Sequence, residues 1–198
     1  DTFKGVSFHT NNWDHNFDYK GKRVAVVGSG ASAAQVIPTI AGDVKELHVF
    51  QRTPHWVMPR HDYQFKPWQR TLLRNKWAYK ALRWAIYWGL ETRVIGFKYS
   101  DFGLHKLAQE PAMRHIARQI KDPELRKKVT PDYTIGCKRI ILSDTLYPAF
   151  CQDNVSLYTR DHAIAEITEN SIITTQDEHI ELDAIIYATG YDATDGVV

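Results

Sequence analysis

The feature that most constrains this chain is a Gly-rich sequence placed directly after a predicted strand. Residues 22–28 form a short run rich in β-branched residues that ends in glycine, which predicts a buried strand entering a tight turn. The sequence Gly28-Ser29-Gly30-Ala31-Ser32-Ala33 fits G-x-G-x-x-G/A in the context that dinucleotide binding requires. We therefore predict that these six residues bind a dinucleotide. The alternative is a Gly-rich turn that binds nothing.

Each position of that motif has a physical reason. Gly28 permits the turn, Gly30 lets the backbone approach a pyrophosphate, and Ala33 allows close packing of helix on strand. Free N–H groups at the start of the following helix would meet the anion. A turn without a ligand does not need small residues at all three positions.

The surrounding pattern predicts an α/β fold. A helix over 31–41, ended by Gly42, and a strand over 46–50 complete a βαβ unit, whose crossover should be right-handed and parallel. Residues 62–130 have helical spacing with breaks expected at Gly89, Gly96, Gly103, Pro111 and Pro123. Strands over 155–158, 163–168, 171–175 and 180–188 are expected to be mostly hairpin-linked. The predicted fold is a Rossmann-like domain with a parallel sheet (21–61 and 131–187), a helical insertion (62–130) and a β-meander.

The residues after the second strand select the cofactor. Gln51-Arg52-Thr53 contains no carboxylate to accept hydrogen bonds from a ribose 2′-hydroxyl, whereas Arg52 can pair with a 2′-phosphate and Thr53 adds a hydroxyl. We predict that these three residues contribute to a site that prefers NADPH. The alternative for Arg52 is a solvated loop cation.

Composition excludes several other classes of protein. The chain has 198 residues, 43% of them hydrophobic, and a net charge of +2, too small by itself to indicate nucleic-acid binding. Cys137 and Cys151 form neither a CxxC pair nor a metal cluster, so we predict no metal site and a reducing, cytoplasmic compartment. The longest apolar stretch, residues 81–90, is too short to span a membrane, and no secretory signal is visible.

The first fourteen residues carry a second motif. Phe3, Gly5, His9, Trp13 and Asp14 match F-x-G-x-x-x-H-x-x-x-W-[P/D] at every specified position. This fingerprint, placed just upstream of GxGxxA, resembles that of the type I Baeyer–Villiger monooxygenases, a family of FAD- and NADPH-dependent flavoproteins. Without the resemblance, the simplest interpretation is that His9 and Trp13 pack against the sheet.

Two further segments agree with the resemblance. The stretch from Gly136 to Arg139 is similar to the family's G-x-K-R sequence, in which the lysine, here Lys138, also reaches the 2′-phosphate and the arginine, here Arg139, lies over the flavin. The Ala-Thr-Gly sequence that contains Thr189 and Gly190 is similar to the point where such enzymes return to their FAD domain. On residues alone, the two cations could be a surface pair and Ala-Thr-Gly an ordinary strand end.

The resemblance implies a function. NADPH would reduce FAD, the reduced flavin would activate O2, and a ketone would be oxidised to an ester or lactone, with Arg139 stabilising negative charge. The chain lacks a second dinucleotide motif, so we expect it to be the central part of a longer enzyme, with residues 1–20 and 188–198 as linkers to an FAD domain. The alternatives are oxygenation of nitrogen or sulfur by a related flavin enzyme, and a nucleotide-binding module without catalysis.

The helical insertion has an unusual charge and aromatic content. Residues 66–98 contain eight Lys and Arg and one acid, Glu91, which gives a local net charge of +7. Leu73, Trp77, Trp84 and Trp88 lie at helical spacing, and we favour their packing in a core or along a cavity. By resemblance, this region would cover the substrate side of the active site. The less favoured alternative is a basic amphipathic helix at a membrane surface.

Overall fold

The computed structural model describes residues 2–60, 62–99 and 105–190, with the side chains of residues 93–99 and 107 outside this description. The predicted break at Gly103 and most of the predicted linker 188–198 therefore lie outside the described residues. The described residues form ten strands: β1 (Val6–His9), β2 (Arg23–Val27), β3 (Glu46–Phe50), β4 (Val57–Met58), β5 (Ile141–Leu142), β6 (Val155–Tyr158), β7 (Ile164–Ile167), β8 (Ser171–Thr174), β9 (His179–Glu181) and β10 (Ala184–Tyr187).

The described helices are α1 (Ala33–Ile40), α2 (Pro67–Leu73), α3 (Lys76–Tyr99), α4 (Glu110–Gln119), α5 (Pro123–Val129) and α6 (Leu146–Phe150). A π-helical turn, His105–Gln109, leads into α4, and a 3₁₀ turn, Arg160–His162, follows β6. Pro111 and Pro123 lie in the first turns of α4 and α5, where a missing N–H costs no helical hydrogen bond.

A five-stranded parallel sheet forms the centre of the fold, in the order β1-β10-β2-β3-β6. The predicted α/β class, the βαβ unit of β2, α1 and β3, and the parallel pairing are confirmed. Strands β7, β8 and β9 form a separate antiparallel meander. β1 lies at the sheet edge, within the segment for which the sequence predicted only a linker.

The two faces of the sheet bury different residues because side chains alternate along each strand. Val24 and Val26 of β2 face a core shared with α1, α4, α5 and α6, to which Ile116 and Val129 contribute. Ala25, between them, faces the other core, where the meander packs. The sheet is therefore covered on both faces, as parallel sheets require.

Two expectations about element boundaries are wrong. Helix α3 runs without interruption through Gly89 and Gly96, where breaks were expected. The run 180–188 is divided between β9, which ends the meander, and β10, which pairs in the parallel sheet. Between them, the carboxylate of Asp183 accepts hydrogen bonds from the backbone N–H and the guanidinium of Arg23.

The aromatic residues of the predicted insertion are not buried as expected. Trp77, Trp84 and Trp88 are 77%, 67% and 49% exposed, and no described residue of α2 or α3 belongs to a core cluster. The interpretation that these Trp residues fill a core is thus wrong for the described part of the chain. In the same part, none of the helices is both long and apolar enough to cross a membrane.

Candidate functional site

A cleft of about 680 Å³ lies at the carboxyl ends of β2, β3 and β10. In parallel α/β sheets this edge is where ligands bind, because loops from several strands meet there. Its walls are formed by the Gly-rich loop, the loop after β3, the pair 138–139 and the end of β10. The lining residues are Val27, Gly28, Ser29, Gly30, Ala31, Ser32, Phe50, Arg52, Thr53, His55, Lys138, Arg139, Ala188, Thr189 and Gly190.

The two glycines of the loop have different surroundings. Gly28 has φ +128°, and a Cβ added to it would collide with the carbonyl oxygen of Ala188. At Gly30 an added Cβ would meet no heavy atom within 4 Å outside its chain neighbours. The first glycine is therefore needed for the approach of β10, and the second leaves open space next to the backbone in the cleft.

The start of α1 presents hydrogen-bond donors to this space. Ala34 N–H donates to Gly30 O at 3.0 Å, which begins the helical pattern. Among the described residues, the backbone N–H groups of Gly30, Ala31 and Ser32 have no hydrogen-bond acceptor. The Ser32 side chain makes no capping bond and lines the cleft. These donors, at the positive end of the helix dipole, suit an anion.

The loops on either side of the cleft are held by side-chain to backbone hydrogen bonds. Ser29 Oγ donates to Thr53 O at 2.8 Å, which ties the Gly-rich loop to the loop after β3. Tyr133 Oη donates to Pro54 O at 3.2 Å, and Trp56 Nε1 donates to Tyr133 O at 2.9 Å. The segment that leads to Lys138 is thereby fixed against the segment that carries Arg52.

Three cations face the cleft. Arg52, Lys138 and Arg139 are all exposed, and none forms an ion pair with another described residue. Lys138 Nζ lies 4.7 Å from the centroid of the Tyr133 ring, which restricts its position. The cleft therefore contains positive charge that no described carboxylate neutralises, together with free backbone N–H groups. This combination suits a polyanion.

His55 also lines the cleft and was missed by the sequence analysis. Burial lowers the pKa of its imidazole, the nearby charge of Lys138 lowers the pKa further, and the backbone of Arg139 partly offsets both. Its Nδ1 atom is buried and has no hydrogen-bond partner among the described residues. No motif marks Pro54-His55-Trp56; the usable signal was its closeness to the end of a parallel strand.

Two predicted cofactor-binding residues lie outside the cleft lining. Gln51 is buried, and its Nε2 donates to Lys128 O in α5 at 2.9 Å. This bond supports the loop that carries Arg52, and Gln51 lines a neighbouring pocket with Phe50 and Tyr158. Ala33 is fully buried in the contact of α1 with the sheet, the packing position for which a small residue was predicted.

The fingerprint residues lie next to the cleft rather than in it. A Cβ at Gly5 would lie 2.6 Å from the Phe3 ring and 2.7 Å from Asp183 O, so the edge strand requires glycine there. The Trp13 ring packs edge-on against Phe8 with centroids 5.0 Å apart, at the border of the core.

The remaining two fingerprint residues fix the chain after β1. His9 Nδ1 accepts from Asn11 N–H at 3.1 Å, and Asp14 Oδ1 accepts from Asn16 N–H at 2.9 Å. Because Thr10 N–H donates to Tyr187 O, this segment holds the end of β10, which Thr189 and Gly190 follow.

Comparison with known proteins agrees with the fold. A family model described as flavin-binding monooxygenase-like matches residues 1–194. A Baeyer–Villiger monooxygenase of Pseudomonas aeruginosa is 46% identical over the whole chain, and one of Streptomyces coelicolor is 42% identical over 98% of it. The chain spans 37% of the length of each of these relatives.

Solved structures show the same likeness. OTEMO in complex with FAD and NADP has a TM-score of 0.78 and 29% identity, over 96% of this chain and 43% of that chain. Cyclohexanone monooxygenase with bound ε-caprolactone has a TM-score of 0.80 and 26% identity, over 98% of this chain and 45% of that chain. The extent of the family match and the identity to curated relatives lead to one conclusion: the chain belongs to the flavin-binding monooxygenase-like family.

Proposed function

We propose that this chain is the NADPH-binding part of an FAD-dependent Baeyer–Villiger monooxygenase that oxidises ketones to esters or lactones with O2. The observation that carries the proposal is the meeting of the Gly-rich loop, Arg52, Lys138 and Arg139 in one cleft. The two curated bacterial relatives, both named Baeyer–Villiger monooxygenases, support the type of reaction. The proposal names the substrate class, ketones, and no individual ketone.

The cleft and an adjoining pocket fit NADP. The free N–H groups of residues 30–32 would bind the pyrophosphate, and Arg52 and Lys138 would bind the 2′-phosphate. A mostly apolar pocket of about 350 Å³ lies on the other side of Arg52 and is lined in part by Val27, Phe50 and Tyr158. The Phe50 and Tyr158 rings stack at 4.7 Å, and this pocket would take the adenine ring.

The second cofactor would be bound mainly by other parts of the protein. The chain has one Gly-rich dinucleotide motif and spans 37% of its relatives, so an FAD site would be supplied largely by the remaining length. When bound, FAD would accept hydride from NADPH and use O2 to oxygenate the ketone. Cys137 and Cys151 are free and exposed thiols, which suits the cytoplasm, the compartment that we propose.

Arg139 is the residue that we assign to catalysis. It lines the cleft beside the end of β10, and its guanidinium is permanently charged and unpaired among the described residues. In that position it would stabilise the negative charge that develops when the ketone is attacked. Its neighbour Lys138 lies over the Tyr133 ring, and we assign it to the 2′-phosphate.

The test is Arg139→Ala in the full-length enzyme, assayed with a cyclic ketone and with a thioether. Loss of one charged donor should lower the rate of ester formation by about 10²–10³-fold. Binding of NADPH, which rests on Arg52, Lys138 and the Gly-rich loop, should remain measurable by Trp fluorescence.

Arg118→Ala is the matched control because Arg118 is exposed on α4 and does not line the cleft. Ester formation at the wild-type rate in Arg139→Ala would refute the assignment of Arg139. A wild-type enzyme that oxygenates the thioether and leaves the ketone unchanged would refute the Baeyer–Villiger proposal in favour of heteroatom oxygenation.

A further inference from the structure

Helices α2 and α3 expose an unusual amount of aromatic surface. Trp68 of α2 is 63% exposed, and Trp77, Trp84 and Trp88 of α3 are 77%, 67% and 49% exposed. Four of the six Trp residues of the chain thus lie on these two helices in contact with solvent. Single exposed apolar residues are ordinary, but a contiguous group of this size marks an interaction surface.

The large aromatic residues of α3 share one side of the helix. At 3.6 residues per turn, positions 77, 84 and 88 lie within about 40° of one another. The Trp84 and Trp88 rings contact edge to face, with centroids 6.0 Å apart. The three Trp residues thus form a stripe on one side of α3 over about three helical turns, and no described element covers it.

A basic stripe runs beside the Trp stripe. Positions 76, 80 and 83 lie within about 60° of one another, roughly 90° around the helix from the Trp stripe. Lys80 Nζ is 5.7 Å from the centroid of the Trp77 ring, so charge and aromatic surface meet. We refer to Trp77, Trp84 and Trp88 with Lys76, Lys80 and Arg83 as the aromatic-basic surface.

The charge of this region identifies the partner chemistry. Residues 66–98 carry a net charge of +7, although the whole chain carries only +2. Six of these cations have described side chains, and none of the six forms an ion pair with a described residue: Lys66, Arg70, Arg74, Lys76, Lys80 and Arg83. The complementary surface must be anionic and must also accept Trp rings, which is the chemistry of an acidic phospholipid interface.

The other properties of α3 agree with binding in the plane of a bilayer. Lys and Arg side chains can extend from a helix lying at the interface to reach phosphate groups while Trp rings enter the headgroup region. The charges along α3 prevent it from crossing the hydrocarbon layer, and none of the described helices is apolar enough to do so. We propose that the aromatic-basic surface binds the enzyme peripherally to membranes that contain anionic phospholipid.

The experiment is flotation of the full-length protein with vesicles. Phosphatidylcholine vesicles are compared with phosphatidylcholine–phosphatidylglycerol vesicles at low and high salt. Because each cation near an anionic surface contributes about 1 kcal/mol, equal to roughly a fivefold change in binding, the three basic-stripe cations should give a preference for anionic vesicles of at least tenfold. High salt should abolish most of this preference.

Two variants test which residues are responsible. Trp84→Ser with Trp88→Ser should reduce binding at both salt concentrations, whereas Lys76→Gln, Lys80→Gln and Arg83→Gln together should remove the preference for anionic lipid. Leu142→Ser and Lys45→Gln are matched controls, because both residues are exposed and lie outside this surface. NADPH binding should be unchanged in all variants, since none of these residues lines the cleft.

A measurement on the wild-type protein does not depend on how the variants fold. Brominated phosphatidylglycerol should quench Trp fluorescence more than unbrominated phosphatidylglycerol does, because four Trp residues of this chain are exposed on α2 and α3. Absence of flotation and quenching at low salt would overturn the proposal and show that the rest of the protein covers this surface. Vesicle binding that is unchanged in both variants would also overturn the proposal, because the membrane contact would then lie outside the aromatic-basic surface.

Discussion

At the scale of single residues, Gly28 and Gly30 do different things in one loop. Alanine at 28 would be forced into a backbone conformation that costs about 1–3 kcal/mol and would collide with Ala188. Alanine at 30 meets open space, which in our proposal the pyrophosphate of NADP occupies. We therefore expect Gly28→Ala to lower the free energy of unfolding by at least that amount, and Gly30→Ala to weaken NADPH binding with little loss of stability.

Urea unfolding and NADPH titration of the two full-length variants separate these effects. Gly42→Ala is a matched control because an added Cβ there also meets open space, at the end of α1 away from the cleft. If Gly30→Ala binds NADPH as tightly as Gly42→Ala does, the proposed position of the pyrophosphate is incorrect.

Some residues of the cleft could be predicted from the sequence because their chemistry depends on backbone spacing. The spacing of Gly28 and Gly30 directly after a run of β-branched residues predicted a ligand-binding loop at the end of a strand. His55 was missed because it reaches the cleft through the packing of Trp56 and Tyr133, which no local pattern encodes. Gln51 was predicted to bind the cofactor, but its tertiary hydrogen bond to Lys128 O, which no local pattern encodes, places it outside the cleft lining.

At the scale of elements, α5 depends on its N-terminal cap. The Asp122 carboxylate accepts from the backbone N–H groups of Glu124 and Leu125 at 3.0 and 3.3 Å. The helix has seven residues, yet it supplies Val129 to the core and Lys128 O to Gln51. Asp122→Ala should lower the free energy of unfolding by about 1 kcal/mol.

Asp122→Asn is the control for this prediction, since asparagine also caps helices well and differs mainly in charge. Chemical denaturation of both full-length variants would measure the difference. Equal stability of Asp122→Ala and Asp122→Asn would mean that the cap contributes nothing to α5 and that tertiary packing alone holds it.

Element boundaries show where sequence patterns stop being informative. Breaks were expected at Gly89 and Gly96, but one glycine costs a helix only about 1 kcal/mol, and α3 continues through both. The apolar run 180–188 predicted one strand, but the structure divides it between β9 and β10 in two sheets. At the division, Asp183 accepts a hydrogen bond from Arg23, a contact 160 residues apart in sequence that no local pattern encodes.

At the scale of the whole molecule, the cleft is a product of topology. β10 is inserted between β1 and β2, so the last described strand places Thr189 and Gly190 beside the Gly-rich loop. The sequence predicted the parallel sheet and thus the edge at which these loops meet. The exposure of the Trp stripe could not be predicted, because the helical spacing that describes a buried face describes an exposed one equally well.

Two half-buried histidines make the stability of the molecule depend on pH. Burial is the main cause that lowers the pKa values of His48 and His55, so the folded state favours their neutral forms. An unfolded histidine has a pKa near 6.5, so as pH falls below about 6.5 the unfolded state takes up protons first and stability is lost. Asp183, whose pKa is lowered by Arg23, loses its contribution only in more acidic solution.

The melting temperature of the full-length protein should therefore fall as the pH is lowered from 7 to 5. It should fall less steeply in the double variant that combines His48→Gln and His55→Gln. Taking the difference between wild type and variant at each pH cancels the titration of all other groups. The difference should be constant above about pH 7, where both histidines are neutral in both states, and should favour the variant increasingly below about pH 6.5. A difference that stays constant down to pH 5 would show that the two imidazoles are solvated in the folded protein.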